Sequence, residues 1–100
     1  MTVEVLPAAQ ADLDSDADYY EERSSGLGGE FLTAVDSAFS FLARFPRAGR
    51  PLAGSTQMVR RWTVQKYLYT VIYVLLEGRV LVLAVAHSKR DPDYWQSRVP

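Results

Sequence analysis

The chain has no cysteine and a single histidine, His87. The first absence excludes disulfides, thiolate nucleophiles and cysteine-based zinc sites, and the second leaves carboxylates as the only plentiful metal ligands. Those carboxylates gather at Asp12, Asp14, Asp16 and Asp18 without the mid-loop glycine and closing glutamate of a calcium loop, so they read as a solvated helix face. We expect no metal and no cofactor. Long apolar runs are also missing: the longest, Tyr67 to Leu76, is interrupted by Thr70 and falls short of the roughly 20 residues that a spanning helix needs. Met1 to Leu13 has neither the basic nor the apolar stretch of a secretory signal, which points to a cytoplasmic protein with no membrane partner. Gly26, Gly28 and Gly29 lack the preceding strand and following lysine of a phosphate loop, and Ser88 beside His87 has no third group to make a triad.

What is present suits one folded unit. The sequence has 100 residues, 48% of them hydrophobic, enough for one core and too few for two, so residues 1–100 are expected to form a single domain. The net charge of -1 conceals a division. Up to Phe45 nine acidic residues face two arginines, a balance of -7; from Pro46 onward nine basic residues face three acidic ones, a balance of +6. Such a dipolar surface can attract an anionic partner although the total is near zero.

Periodicity supplies the elements. Thr2 to Leu6 alternates as a short strand and stops at Pro7, which suits the first turn of a helix. Ala9, Leu13, Ala17 and Tyr20 then recur at helical spacing, predicting a helix over Pro7 to Arg23. After the break at Ser24 to Gly26, the series Phe31, Val35, Ala38, Leu42 and Phe45 predicts a second amphipathic helix from Leu27 to Phe45, antiparallel to the first and halted by Pro46. Arg47 to Gln57 reads as a loop. Three strands follow, Met58 to Val64, Tyr67 to Leu76 and Arg79 to His87, joined by short turns at Gln65-Lys66 and Glu77-Gly78. The last strand is apolar on both registers, as a central strand would be. Asp91 and Pro92 can open a short C-terminal helix. The expected fold is α+β, in the order β-α-α-β-β-β, with a helical hairpin on a mainly antiparallel four-stranded sheet.

Chemistry concentrates in the basic half. Arg60 and Arg61 sit on one strand, His87 ends the last, and Lys89, Arg90, Tyr94 and Trp95 follow. Consecutive strand residues face opposite ways, so only one of Arg60 and Arg61 shares the core face and the other is exposed. Guanidinium groups at Arg61 and Arg90 could hold phosphate while His87 moves a proton, the parts of a metal-independent ribonuclease.

The sequence resembles the RelE/ParE superfamily of toxins from type II toxin–antitoxin modules over nearly its whole length. The likeness lies in Asp18-Tyr19-Tyr20-Glu21-Glu22-Arg23, Leu27-Gly28-Gly29-Glu30-Phe31, Phe45 to Pro51, Arg60-Arg61, Tyr69 to Tyr73 and Val82 to Pro92. It implies a growth-arresting toxin, of the kind tied to plasmid stabilisation, held inactive in a hetero-oligomer by a cognate antitoxin through which alone operator DNA would be contacted. The Tyr19 to Glu22 and His87 to Pro92 stretches resemble the ParE side, whose members poison DNA gyrase without cutting nucleic acid. The target surface implied is Arg60, Arg61, His87, Lys89, Arg90, Tyr94 and Trp95. The RelE-like alternative is a ribosome-dependent endoribonuclease of messenger RNA with Arg61, His87 and Arg90 as its catalytic set, and a third reading is a non-toxic interaction module of the same fold. The acidic half disfavours a phosphate-lined site and so favours the ParE side. Asp12, Asp16, Tyr20 and Glu21 on the first helix are the residues expected to meet basic groups of the antitoxin.

Overall fold

A computed structural model describes residues 1–52, 59–87 and 94–100, and shows two helices packed on one face of a five-stranded sheet. The elements run β1 (Thr2–Val5), α1 (Pro7–Arg23), α2 (Leu27–Arg44), β2 (Arg50–Pro51), β3 (Val59–Val64), β4 (Tyr69–Leu76) and β5 (Arg79–His87). The sheet order is β1-β5-β4-β3-β2, antiparallel except where β1 runs parallel to β5. Two features correct the sequence reading. The sheet has a fifth strand because Arg50 and Pro51, inside the expected loop, pair with Arg61 and Arg60. The β3–β4 connection is not a two-residue turn: Gln65–Tyr67 forms a single 3-10 turn, and Leu68, at φ 56°, reverses the chain before β4 begins at Tyr69.

The helical hairpin is closed by its own sequence. Gly26 takes a φ of 88° that a side chain would resist, and Glu21 turns back to accept hydrogen bonds from the amides of Gly26 (2.9 Å) and Gly28 (3.0 Å). One carboxylate thereby satisfies donors that the start of α2 would otherwise leave open. Gly28 also lets the helices approach, since a Cβ there would lie 2.6 Å from the carbonyl oxygen of Ala17.

Side chains from both helices meet the inner sheet face in the main core, where Leu13, Phe31, Val35 and Leu42 pack against Val71, Tyr73, Val80 and Val82. The outer face is also covered. Val59, Ile72, Val74, Leu81, Leu83 and Ala84 form a second core beneath Trp95, with Tyr94 and Val99 at its margin. Strand β5, buried from Val80 to Val85, is therefore central, as its unbroken apolar run predicts. The tail is clamped by Arg98, which donates to Asp12 on α1 (2.8 Å) and to the carbonyl of Leu83 (3.0 Å), while Tyr94 donates to the same carboxylate (3.1 Å). A 3-10 turn at Gln96–Arg98 stands where the C-terminal helix was expected to continue; Asp91 and Pro92 lie outside the described residues. No helix among the described residues is long and apolar enough to cross a membrane.

Candidate functional site

Strand alternation decides which of the adjacent arginines reaches solvent. Arg60 pairs with Tyr73 and faces the helices, where it is 9% exposed and donates to the backbone carbonyls of Arg47 (3.1 Å) and Gly49 (2.7 Å). Its neighbour Arg61 is exposed. Arg60 is therefore removed from the expected surface set: it holds a loop. Trp95 leaves that set as well, because it is buried in the outer core.

The other end of the inner face carries His87. It pairs with Tyr69 across β4 and β5, the two rings meeting edge to face at 5.0 Å, and both residues are turned toward the helices. Tyr69 in turn stands beside the Tyr20 ring of α1, 6.1 Å between centroids, and feels the charge of Asp16 on the same helix. Burial, then the negative charge of Asp16, push the Tyr69 phenol far above its ordinary range, so it stays neutral. The Tyr20 phenol is also raised, chiefly by burial. Behind this row the rings of Tyr20, Phe31, Tyr67 and Tyr69 stand 4.9 to 6.1 Å apart, holding the polar edges in place by packing. His87, Asp16 and Tyr20, drawn in sequence from two separate sets, are thus brought together, and Tyr69, which the sequence reading did not single out, is the link.

Arg61 does not join them. It pairs with Ile72 on the outer face and with Arg50 at the sheet edge, whereas Tyr69 and His87 occupy the inner face. A phosphate held by Arg61 would have the sheet between it and His87. Arg90 and Lys89 lie outside the described residues. Of the acidic set on α1, Asp12 is buried against Arg98 and Tyr94, and the exposed Glu21 caps α2, so both carboxylates already have partners within the chain.

The family model described as ParE toxin of type II toxin-antitoxin system, parDE, matches residues 3–92. The chain belongs to the ParE toxin family. Its fold is similar to a solved structure described as the chromosomal ParDE TA system from P. aeruginosa, at a TM-score of 0.64 and 20% sequence identity, covering 87% of this chain and 95% of that one. No curated protein matches the sequence significantly. The β-α-α-β-β-β order read from periodicity, with the short β2 added to it, is accordingly that of a ParE-like fold, with a helical hairpin on a mostly antiparallel sheet. Family membership reaches from β1 through the end of β5, so it takes in both the His87 cluster and the arginine edge.

Proposed function

We propose that this chain is the single-domain toxin of a type II module, that it arrests growth by binding and poisoning DNA gyrase in the cytoplasm, and that a cognate antitoxin neutralises it in a hetero-oligomer. Operator DNA is reached only through the antitoxin. The observation that favours binding over RNA cleavage is the separation of Arg61 from His87 by the sheet. General acid–base work on a phosphodiester needs the proton carrier and the phosphate-binding cation around one reacting atom, within hydrogen-bond reach. His87 is instead packed against a neutral phenol. In this reading Arg61, His87 and Tyr94, with Lys89 and Arg90, contribute surface contacts to the target, and Asp16 and Tyr20 border the surface that meets the antitoxin.

The test is a supercoiling and cleavage assay with purified gyrase and plasmid, with and without the protein, and with messenger RNA on ribosomes in a parallel reaction. Accumulation of cleaved, gyrase-bound plasmid with intact RNA is the expected result. Normal supercoiling with cut RNA would replace the proposal by ribosome-dependent endoribonuclease activity. Inactivity in both, with unimpaired growth on expression, would leave a non-toxic interaction module.

A further inference from the structure

The C-terminal end of α2 and the adjoining sheet edge carry an apolar surface that neither the core nor the His87 cluster uses. Phe41 and Phe45 are 37% and 51% exposed, among the largest exposed apolar side chains of the described residues. Their rings lie 5.0 Å apart, and Phe41 stacks on Trp62 of β3 at 4.8 Å. Together with Pro46 and Ala48 the two phenylalanines line a shallow groove of about 460 Å³, rimmed by Arg44 and Arg47. Ala48 also borders a second groove of about 230 Å³, lined by Arg50, Arg61 and Trp62. The two therefore adjoin, one apolar and one cationic. No carboxylate of the described residues pairs with Arg44, Arg47, Arg50 or Arg61.

We propose that this double groove docks a segment of a partner polypeptide that presents an aliphatic or aromatic anchor flanked by Asp and Glu. The inference deepens the reading of a neutralising partner and rests on it. Charge complementarity selects the occupant: four arginines around an apolar floor favour a carboxylate-bearing peptide, since arginine forks bind carboxylates in two-point contacts. Nucleic acid fits less well. Base stacking needs free ring faces, whereas the Phe41 face is taken by Trp62 at an interplanar angle of 22° and Arg44 covers the Phe45 ring at 5.6 Å. The sign of the partner's charge is thus opposite to the one expected from the acidic first helix, two of whose carboxylates are already engaged.

Fluorescence anisotropy with three labelled 16-residue peptides tests this: one with leucine anchors and flanking glutamates, one with the glutamates changed to lysine, and one with the leucines changed to serine. A labelled single-stranded oligonucleotide and a sedimentation run of the protein alone complete the set. The leucine–glutamate peptide should bind, the other two should bind at least about tenfold more weakly, and added salt should weaken the binding. Phe45→Ser and Arg47→Glu should each lower its affinity about tenfold or more. Arg47→Glu keeps the fold, because Arg60 contacts only the backbone carbonyl at that position. Equal affinity for the acidic and basic peptides, affinity unchanged by Arg47→Glu, or no binding of the acidic peptide overturns the proposal. Preferential oligonucleotide binding that Arg47→Glu abolishes would assign the groove to nucleic acid, and self-association dissolved by Arg47→Glu would assign it to a second copy; either overturns it. The readout is binding alone, so failure here leaves the gyrase assay to judge toxicity separately.

Discussion

Replacing Tyr73 by phenylalanine should unfasten the loop that forms one wall of the apolar groove. The Tyr73 ring is fully buried, and its hydroxyl accepts a hydrogen bond from the amide of Gly49 (2.9 Å) and donates one to the carbonyl of Pro46 (2.8 Å). Phenylalanine keeps the ring and removes both bonds at once. Each is worth about 1 kcal/mol net, and the Gly49 amide, left buried without an acceptor, adds a desolvation cost of similar size, for a total of about 2–3 kcal/mol. For a chain of this length that corresponds to a fall in melting temperature of roughly 10–15 °C. Urea denaturation should show the midpoint moving down with the slope unchanged, since the native surface is nearly the same. The effect should also reach function, because Gly49 and Pro46 set the position of Arg47 and Ala48 between them: affinity for the leucine–glutamate peptide should drop in the folded variant. A stability loss below about 0.5 kcal/mol would refute the argument, as it would mean that water or a shifted backbone replaces both partners without cost.

Four further outcomes follow from the clamp, the cap, the buried phenols and the imidazole. Arg98→Met should destabilise by about 2–4 kcal/mol in the same urea assay, because the buried Asp12 carboxylate loses its ion pair and the Leu83 carbonyl loses a donor. Glu21→Ala should cost about 1–2 kcal/mol through the loss of two amide contacts at the start of α2, and helix content measured by circular dichroism should fall at a lower temperature than in the parent. The phenols of Tyr20, Tyr69 and Tyr73, all raised mainly by burial, hold their protons in the folded state above the pH at which the unfolded chain loses them. Their contribution is therefore full below about pH 10 and is lost as pH rises beyond it; ultraviolet titration should show these tyrosines ionising at higher pH in the folded protein than in the unfolded chain, and Tyr69→Phe should flatten the stability loss. His87→Ala should weaken growth arrest only in part in cells that express the protein alone, as the loss of one surface contact would, while abolished arrest with a native melting curve would restore a catalytic role for the imidazole.

The helices and four of the five strands were legible because each carries a hydrophobic pattern of its own. Phe31, Val35, Ala38 and Leu42 recur on one face of α2 and all four are buried, and the all-apolar run of β5 does occupy an interior position. The boundaries of α1 were equally plain, with Pro7 at its start and the Ser24 to Gly26 break at its end. What escaped has no period to show. A two-residue strand ending in proline offers almost no pattern, and Arg50–Pro51 pairs only because β3 presents it with an edge. Whether β1 joins β5 or another strand is a choice among edges that hydrophobic alternation in four residues cannot make; the parallel register of Thr2 with Arg79 follows from the helical hairpin carrying the chain across the sheet.

The site was less legible, because charge in a sequence reports sign and not engagement. Asp12 looks like one of four aspartates on a solvated face, yet it is buried and meets Arg98, 86 residues away. Glu21 lies at the end of an acidic helix and spends both oxygens on the next one. Arg60 and Arg61 are chemically identical neighbours that the pleat sends to opposite faces, one to hold a loop and one to solvent. The surface left after these assignments is cationic and aromatic at the β2–β3 edge, and its aromatic part had a faint signal: Phe41 lies off the buried stripe of α2, where an exposed helix would ordinarily place a polar residue. An off-stripe phenylalanine followed by Arg44, Phe45 and Arg47 therefore marks a place where the sequence departs from what folding alone requires, and such departures are expected where a chain meets a partner.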